Sequence, residues 1–170
     1  LNDGINDGFL TPYRVKRVRT NLDELVLTKD DVIVEGESGQ DLYKVEDYDR
    51  KIIIDERTEL VAKVILQNIN PLEKTIVFCE NQNHALTMRD MINKHKKVKD
   101  PLYCVRVTSD EGKIGRELLE KFQDNDKDIP TIITSSQMLT TGVDARNVRN
   151  VVLDRSIGSM VEFKQIVGRG

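Results

Sequence analysis

Thr75-Ile76-Val77-Phe78-Cys79 is a continuous apolar run, followed by Glu80-Asn81-Gln82 and then by a segment in which Ala85, Met88, Ile92 and His95 recur at helical spacing. A run without polar alternation predicts a strand covered on both faces, and the change of period predicts a helix capped at Asn81. The order then repeats. Tyr103 to Val107 precedes a stripe of Ile114, Leu118 and Phe122, and Thr131 to Thr134 and Asn150 to Asp154 are further strand-like runs. Strands alternating with amphipathic helices mark parallel βαβ units, so the expected class is α/β with a parallel sheet and helices on both faces.

Working outward, Leu60, Val61, Val64, Ile65 and Ile69 predict a helix that Asp55 caps and Pro71 stops. Before it, Tyr13 to Thr20, Val32 to Val34 and Lys51 to Ile54 are short runs of strand type, giving a β-rich N-terminal segment. At the far end Met160, Phe163 and Val167 predict a last helix. The expected division is residues 1–55 as that segment, or a connection from an upstream lobe, and residues 56–170 as the α/β lobe.

With 170 residues and 38% hydrophobic content the chain can build one good core. It has no apolar stretch long enough to span a bilayer. A net charge of -3 excludes a globally basic nucleic-acid binder, so any DNA contact must come from a local groove. Cys79 and Cys104 each sit inside an apolar run, away from metal-ligand spacing, and are expected as reduced core thiols of a cytoplasmic protein without a protein-bound metal. His84 and His95 share one predicted helix and have no evident partner, so both are expected at its surface or boundary. The basic run Lys94 to Lys99 reads as a solvated helix end. The chain opens at Leu1 and stops at Gly170, as expected for a piece of something larger.

In an open parallel sheet, ligands bind beyond the carboxyl ends of the strands. The residues there are Glu80, Asn81 and Gln82; Thr108, Ser109 and Asp110; Ser135, Ser136 and Gln137; and Arg155 and Ser156. Hydroxyls, amides and helix-start N–H groups can hydrogen-bond a nucleic-acid backbone, although each of these residues taken singly is also an ordinary helix cap. More specific is Thr140-Thr141-Gly142-Val143-Asp144-Ala145, followed by Gln165-Ile166-Val167-Gly168-Arg169-Gly170. Gly142 lets the backbone approach a nucleotide, and Asp144 can accept from a ribose hydroxyl. Gln165 and Arg169 fall on one helical face, and an arginine aimed at a neighbouring lobe's nucleotide can neutralise charge on the transferred phosphoryl group.

Together with Lys74-Thr75-Ile76-Val77-Phe78-Cys79, these segments resemble motifs IV, V and VI of superfamily 2 helicases, and specifically the restriction (HsdR) subunit of type I restriction-modification enzymes. The resemblance is strongest in Ser136 to Asn150 and in Glu162-Phe163-Lys164-Gln165 leading to Gly168-Arg169-Gly170. Asp100 to Thr108, Phe122-Gln123-Asp124 and Asp7 to Tyr13 also look like that family, whereas residues 21–54 match none of it.

The resemblance implies the second RecA-like lobe of an ATP-driven translocase on double-stranded DNA. In that lobe Gly142, Asp144, Gln165 and Arg169 would touch the nucleotide, and Thr108, Ser136 and Asn81 the DNA backbone. ATP and Mg2+ would be held mainly by a first lobe absent from this chain, and Gly112-Lys113-Ile114 is no substitute for its phosphate loop. The family places a second arginine a few residues after Arg169, beyond Gly170, as an alternative and better candidate for the arginine finger, and the isolated chain, carrying only part of the ATP site, is expected to be inactive. Implied partners are the first lobe and the methyltransferase and specificity subunits. Two other readings stay open: a lobe of another superfamily 2 motor, and a non-catalytic RecA-like module that binds a partner protein.

Overall fold

A computed structural model describes residues 55–136 and 147–155, with Arg14 and Lys16. The N-terminal strand-like runs, the last helix and the segments holding Gly142, Asp144, Gln165 and Arg169 lie outside the described residues. The described elements are α1 (Asp55–Asn68), β1 (Lys74–Cys79), α2 (Gln82–His95), β2 (Cys104–Arg106), a 3-10 turn (Ser109–Glu111), α3 (Gly112–Gln123), β3 (Ile132–Ser135) and β4 (Val148–Asp154). No helix among them is long and apolar enough to cross a membrane.

The four strands form one sheet in the order β2-β3-β1-β4, and every pairing is parallel. The chain passes from β1 over the place of β3 to β2, then returns to β3. Crossovers of one hand that run in opposite directions must use opposite faces of a sheet. The core shows that arrangement. Val77 and Cys79 of β1 pack with Ala62 and Ile65 of α1 and with Ala85, Met88 and Ile92 of α2. Ile76 and Phe78 of β1 point the other way, to Phe122 of α3, Val105 and Ile133. All six residues of β1 are buried, which explains its unbroken apolar run.

Several boundaries differ from the sequence expectation, each for a local reason. Asp55 is the first residue of α1 and not a cap outside it. The ladder of β2 is one residue shorter at each end than the apolar run, although Tyr103 and Val107 stay buried beside it. β4 starts two residues earlier than predicted, at Val148, because a register shift beside Lys74 and Thr75 leaves the polar Arg149 unopposed and lets Val148 pair with Lys74. Of the predicted stripe of α3, Ile114 is exposed, at 66%, and the buried residue of that turn is Gly115. A methyl group at Gly115 would meet the Glu111 Cβ at 2.8 Å, so only glycine lets this turn sit so close.

The buried charge of Lys74 is matched by backbone carbonyls. Lys74 Nζ donates to the carbonyls of Pro130, at 2.6 Å, and Asp128, at 3.2 Å, and lies over the Phe122 ring. Burial lowers its affinity for a proton, while Asp128 and Asp124 raise it. On the surface, Lys63, His95 and Lys94 converge on Glu59 and join α1 to α2, bringing its carboxyl down to about 2. His95 therefore has a partner, contrary to the expectation for it. Lys16 donates to Asn68 at the end of α1.

Candidate nucleotide and nucleic-acid edge

The four strands end at one edge of the sheet, and the residues just beyond them are tied to each other by side chains. Level with this edge, Cys79 of β1 pairs in register with Asp154 of β4, and Phe78 pairs with Ser135 of β3. Beyond β1 the chain turns into α2 with Asn81 as its N-cap, whose side-chain oxygen accepts from the His84 N–H at 2.8 Å.

His84, one turn into α2, is buried and uses both ring nitrogens. Nδ1 accepts from the Glu80 backbone N–H at 3.2 Å, which assigns the ring proton to Nε2. Nε2 lies 3.1 Å from Asp154 Oδ2, close but off the line of a straight hydrogen bond, so neither atom has a better partner. The other Asp154 oxygen accepts from Arg57 of α1 at 2.9 Å. Burial pushes the Asp154 carboxyl up, but His84 and the Arg57 guanidinium outweigh it and hold the carboxyl below the usual carboxylate range. The expectation that His84 is a boundary residue without a partner is thus corrected. Sequence reasoning missed this group because its members sit on α1, α2 and β4; the available signal was a histidine one turn after one strand and an acid at the end of another.

The next residue, Arg155, reaches back toward β3. Its guanidinium donates to the Ser136 carbonyl at 3.2 Å, although β1 lies between the two strands. Ser136 is buried, at 7%, beneath this contact.

Beyond β2 the side chains close on themselves. The Thr108 N–H and hydroxyl both donate to Glu111 Oε2 at 2.7 Å, and Arg106 Nε donates to the other oxygen. Burial pushes the Glu111 carboxyl up, but the Thr108 and Arg106 donors outweigh it and hold the carboxyl below the usual carboxylate range. A second Arg106 nitrogen donates to the Gln82 carbonyl at 3.2 Å. The Gln82 amide is best oriented with its oxygen accepting from the Ser109 hydroxyl at 2.7 Å and its nitrogen donating to Asp110. Gly112, with φ of 51°, ends the 3-10 turn, a role that has nothing to do with a phosphate loop.

The structure therefore brings three of the sequence-predicted residues, Asn81, Thr108 and Ser136, to one edge. Asn81 serves as a cap and Thr108 is engaged by Glu111. Gly142, Asp144, Gln165 and Arg169 follow in sequence from the exits of β3 and β4 and are outside the described residues. Among the described residues, no group of three or more His, Cys, Asp and Glu side chains gathers as a metal site.

Residues 56–170 match the helicase conserved C-terminal domain family. The chain is 44% identical to the endonuclease subunit of the type I restriction enzyme EcoAI from Escherichia coli, an alignment covering 100% of this chain and 22% of that protein. It is 28% identical to the corresponding EcoKI subunit of Escherichia coli strain K12, over 78% of this chain and 12% of that one. Among solved structures, a fragment of an HsdR subunit of a type I restriction enzyme from Vibrio vulnificus YJ016 superposes with a TM-score of 0.60 and 47% identity, covering 68% of this chain and 24% of that chain. The crystal structure of T4 UvsW shares the fold, with a TM-score of 0.54 at 21% identity over 68% of this chain and 22% of that chain. The chain thus spans about a fifth or less of the length of the curated relatives it matches.

Proposed function

This chain belongs to the helicase conserved C-terminal domain family, in the form that type I restriction endonuclease subunits carry, and from that premise we propose that it is the second motor lobe of an ATP-driven DNA translocase. The observation that carries the reading is the 44% identity over the whole chain, combined with the order of the strands. In sequence, the exits of β3 and β4 are followed by the Gly142 to Asp144 and Gln165 to Arg169 segments.

In this proposal the lobe closes on a first lobe of the same protein and completes its ATP site. The phosphate loop and the acidic residues that hold Mg2+ belong to that first lobe. Gly142 and Asp144 meet the nucleotide, and Gln165 and Arg169 face the phosphates from the side of this lobe. An arginine so placed stabilises charge that grows on the transferred phosphoryl oxygens and accelerates transfer by about 10³-fold or more. Neither lobe hydrolyses ATP without the other, so the isolated chain is inactive.

Asn81, Thr108 and Ser136 lie toward the phosphates of duplex DNA. Backbone contacts grip DNA without reading its bases, as stepping along it requires. The network that occupies Thr108 sets a condition: its hydroxyl reaches a phosphate oxygen only if Glu111 releases it. Recognition of sequence, methylation and cleavage would lie with specificity, methyltransferase and nuclease parts outside this chain.

The test is DNA-stimulated ATP hydrolysis by the full-length protein in its complex, wild type against Arg169→Ala, with the isolated chain as a blank. A loss of hydrolysis of about 10³-fold in a complex that still assembles is expected. Absence of DNA-stimulated hydrolysis in the wild-type complex would replace this reading with that of a partner-binding module.

A further inference from the structure

Arg155 is remarkable in no local pattern, yet its contact is unusual in geometry. Within the sheet, β1 separates β4 from β3, so two strand spacings, about 9.6 Å, lie between them. The Arg155 guanidinium crosses that distance over the exit of β1 and donates to the carbonyl of Ser136, the first residue after β3. The residue before it, Asp154, is fixed by Arg57 from α1 and by His84 from α2, and His84 also takes the N–H of Glu80, the first residue after β1. Asp154, the last residue of β4, and Arg155 after it are thus bound to two of the other strand exits: to β1 through His84 and to β3 through Arg155.

We infer that Arg155 is a positioning residue for ATP hydrolysis, tying the exit of β4 to the exit of β3 so that the two segments leaving them start from a fixed separation. The inference rests on the motor-lobe reading given above. Two groups that act on one phosphoryl transfer must be held within a fraction of an ångström, and a displacement of about 1 Å costs on the order of 100-fold in rate. The Ser136 carbonyl is a main-chain acceptor one residue beyond the ladder of β3, which suits it to fix a position. A side chain recruited to bind DNA or nucleotide phosphate would present its guanidinium to solvent, whereas here an arginine N–H is spent on a main-chain oxygen.

The experiment compares Arg155→Met, Arg155→Lys and Arg169→Ala in the full-length complex, at a temperature where circular dichroism shows all of them folded. Arg155→Met is expected to lower the kcat of DNA-stimulated ATP hydrolysis by about tenfold or more, leaving KM for ATP and Kd for DNA within about twofold. Arg155→Lys, which can still donate to the Ser136 carbonyl, recovers most of that loss. An unchanged kcat in Arg155→Met beside a dead Arg169→Ala would overturn the inference and spare the motor-lobe reading. A weaker Kd for DNA with a salt dependence reduced by about one phosphate contact would overturn it in favour of direct DNA binding by Arg155. A loss that Arg155→Lys does not relieve would equally overturn it. Absence of DNA-stimulated hydrolysis in the wild-type complex would overturn the reading on which it rests.

Discussion

His84 and Asp154, far apart in the chain, meet with Nε2 3.1 Å from Oδ2, and both side chains are more than nine-tenths buried. With Nδ1 of the same ring on the Glu80 N–H, a single imidazole joins the exit of β1 to the end of β4. The Asp154 carboxyl, pushed up by burial, is brought below its ordinary value of 3.8 by His84 and Arg57. A carboxylate with a depressed folded-state value contributes stability that is whole above its unfolded value and is lost as pH falls through the folded one. Asp154→Asn is therefore expected to cost about 1–3 kcal/mol at neutral pH, a difference that shrinks below about pH 4. Urea midpoints of both proteins across that range check it, and an offset independent of pH would contradict it.

Burial pushes both cysteine thiols far above their ordinary range. Neither Cys79 nor Cys104 is in a disulfide. A thiol reagent added at about pH 8 is expected to leave both unmodified in the folded protein and to modify both at once in guanidinium. Titration with a chromogenic disulfide measures this; fast labelling of either cysteine under native conditions would show that its strand opens readily.

Gly115→Ala places a methyl group 2.8 Å from the Glu111 Cβ. Overpacking of this kind costs about 1–3 kcal/mol. Because Glu111 carries the Thr108 donors and Arg106, the change is also expected to loosen the turn after β2, seen as faster amide exchange at Thr108. Gly112→Ala, where no atom lies within 4 Å of an added methyl, should cost only the strain of its positive φ.

Asn81 has two roles in prospect, cap and DNA contact, and substitutions separate them. Asn81→Ala removes the acceptor for the His84 N–H and is expected to cost about 1 kcal/mol, whereas Asn81→Asp keeps it and leaves thermal stability nearly unchanged. If Asn81 also lies against a phosphate, Asp at this position weakens DNA binding by the full complex through repulsion. Equal affinities for wild type and Asn81→Asp would leave Asn81 as a cap alone.

Much of this architecture was readable because β1 and β3 are buried along their whole length, and burial on both faces writes itself as an unbroken apolar run. The helix stripes Ala85, Met88 and Ile92 were legible for the same reason: periodicity reports which face meets the core. Ile114 misled because the buried residue of its turn is a glycine, with no apolar side chain to register in the pattern. The early start of β4 was hidden because the polar, exposed Arg149 separates Val148 from the run that begins at Asn150. At the candidate edge, spacing located Asn81, Thr108 and Ser136 as strand-exit residues, but it was silent on what each one touches. His84, Asp154, Arg57 and Arg155 converge only once the sheet is assembled, and no short-range pattern encodes that meeting.

The order β2-β3-β1-β4 also has a consequence for how this polypeptide comes into being on the ribosome. β1 is made early, yet neither of its neighbours in the sheet is β2, the next strand to emerge. Its first partner, β3, begins at Ile132, and its second, β4, pairs with it across a separation of about 75 residues. Until then a strand whose six residues are all buried in the folded lobe leaves the ribosomal tunnel with both hydrogen-bonding edges open, a state prone to aggregate. The nascent chain must shelter β1 against α1 and α2, or in a chaperone, until the two late strands arrive to enclose it.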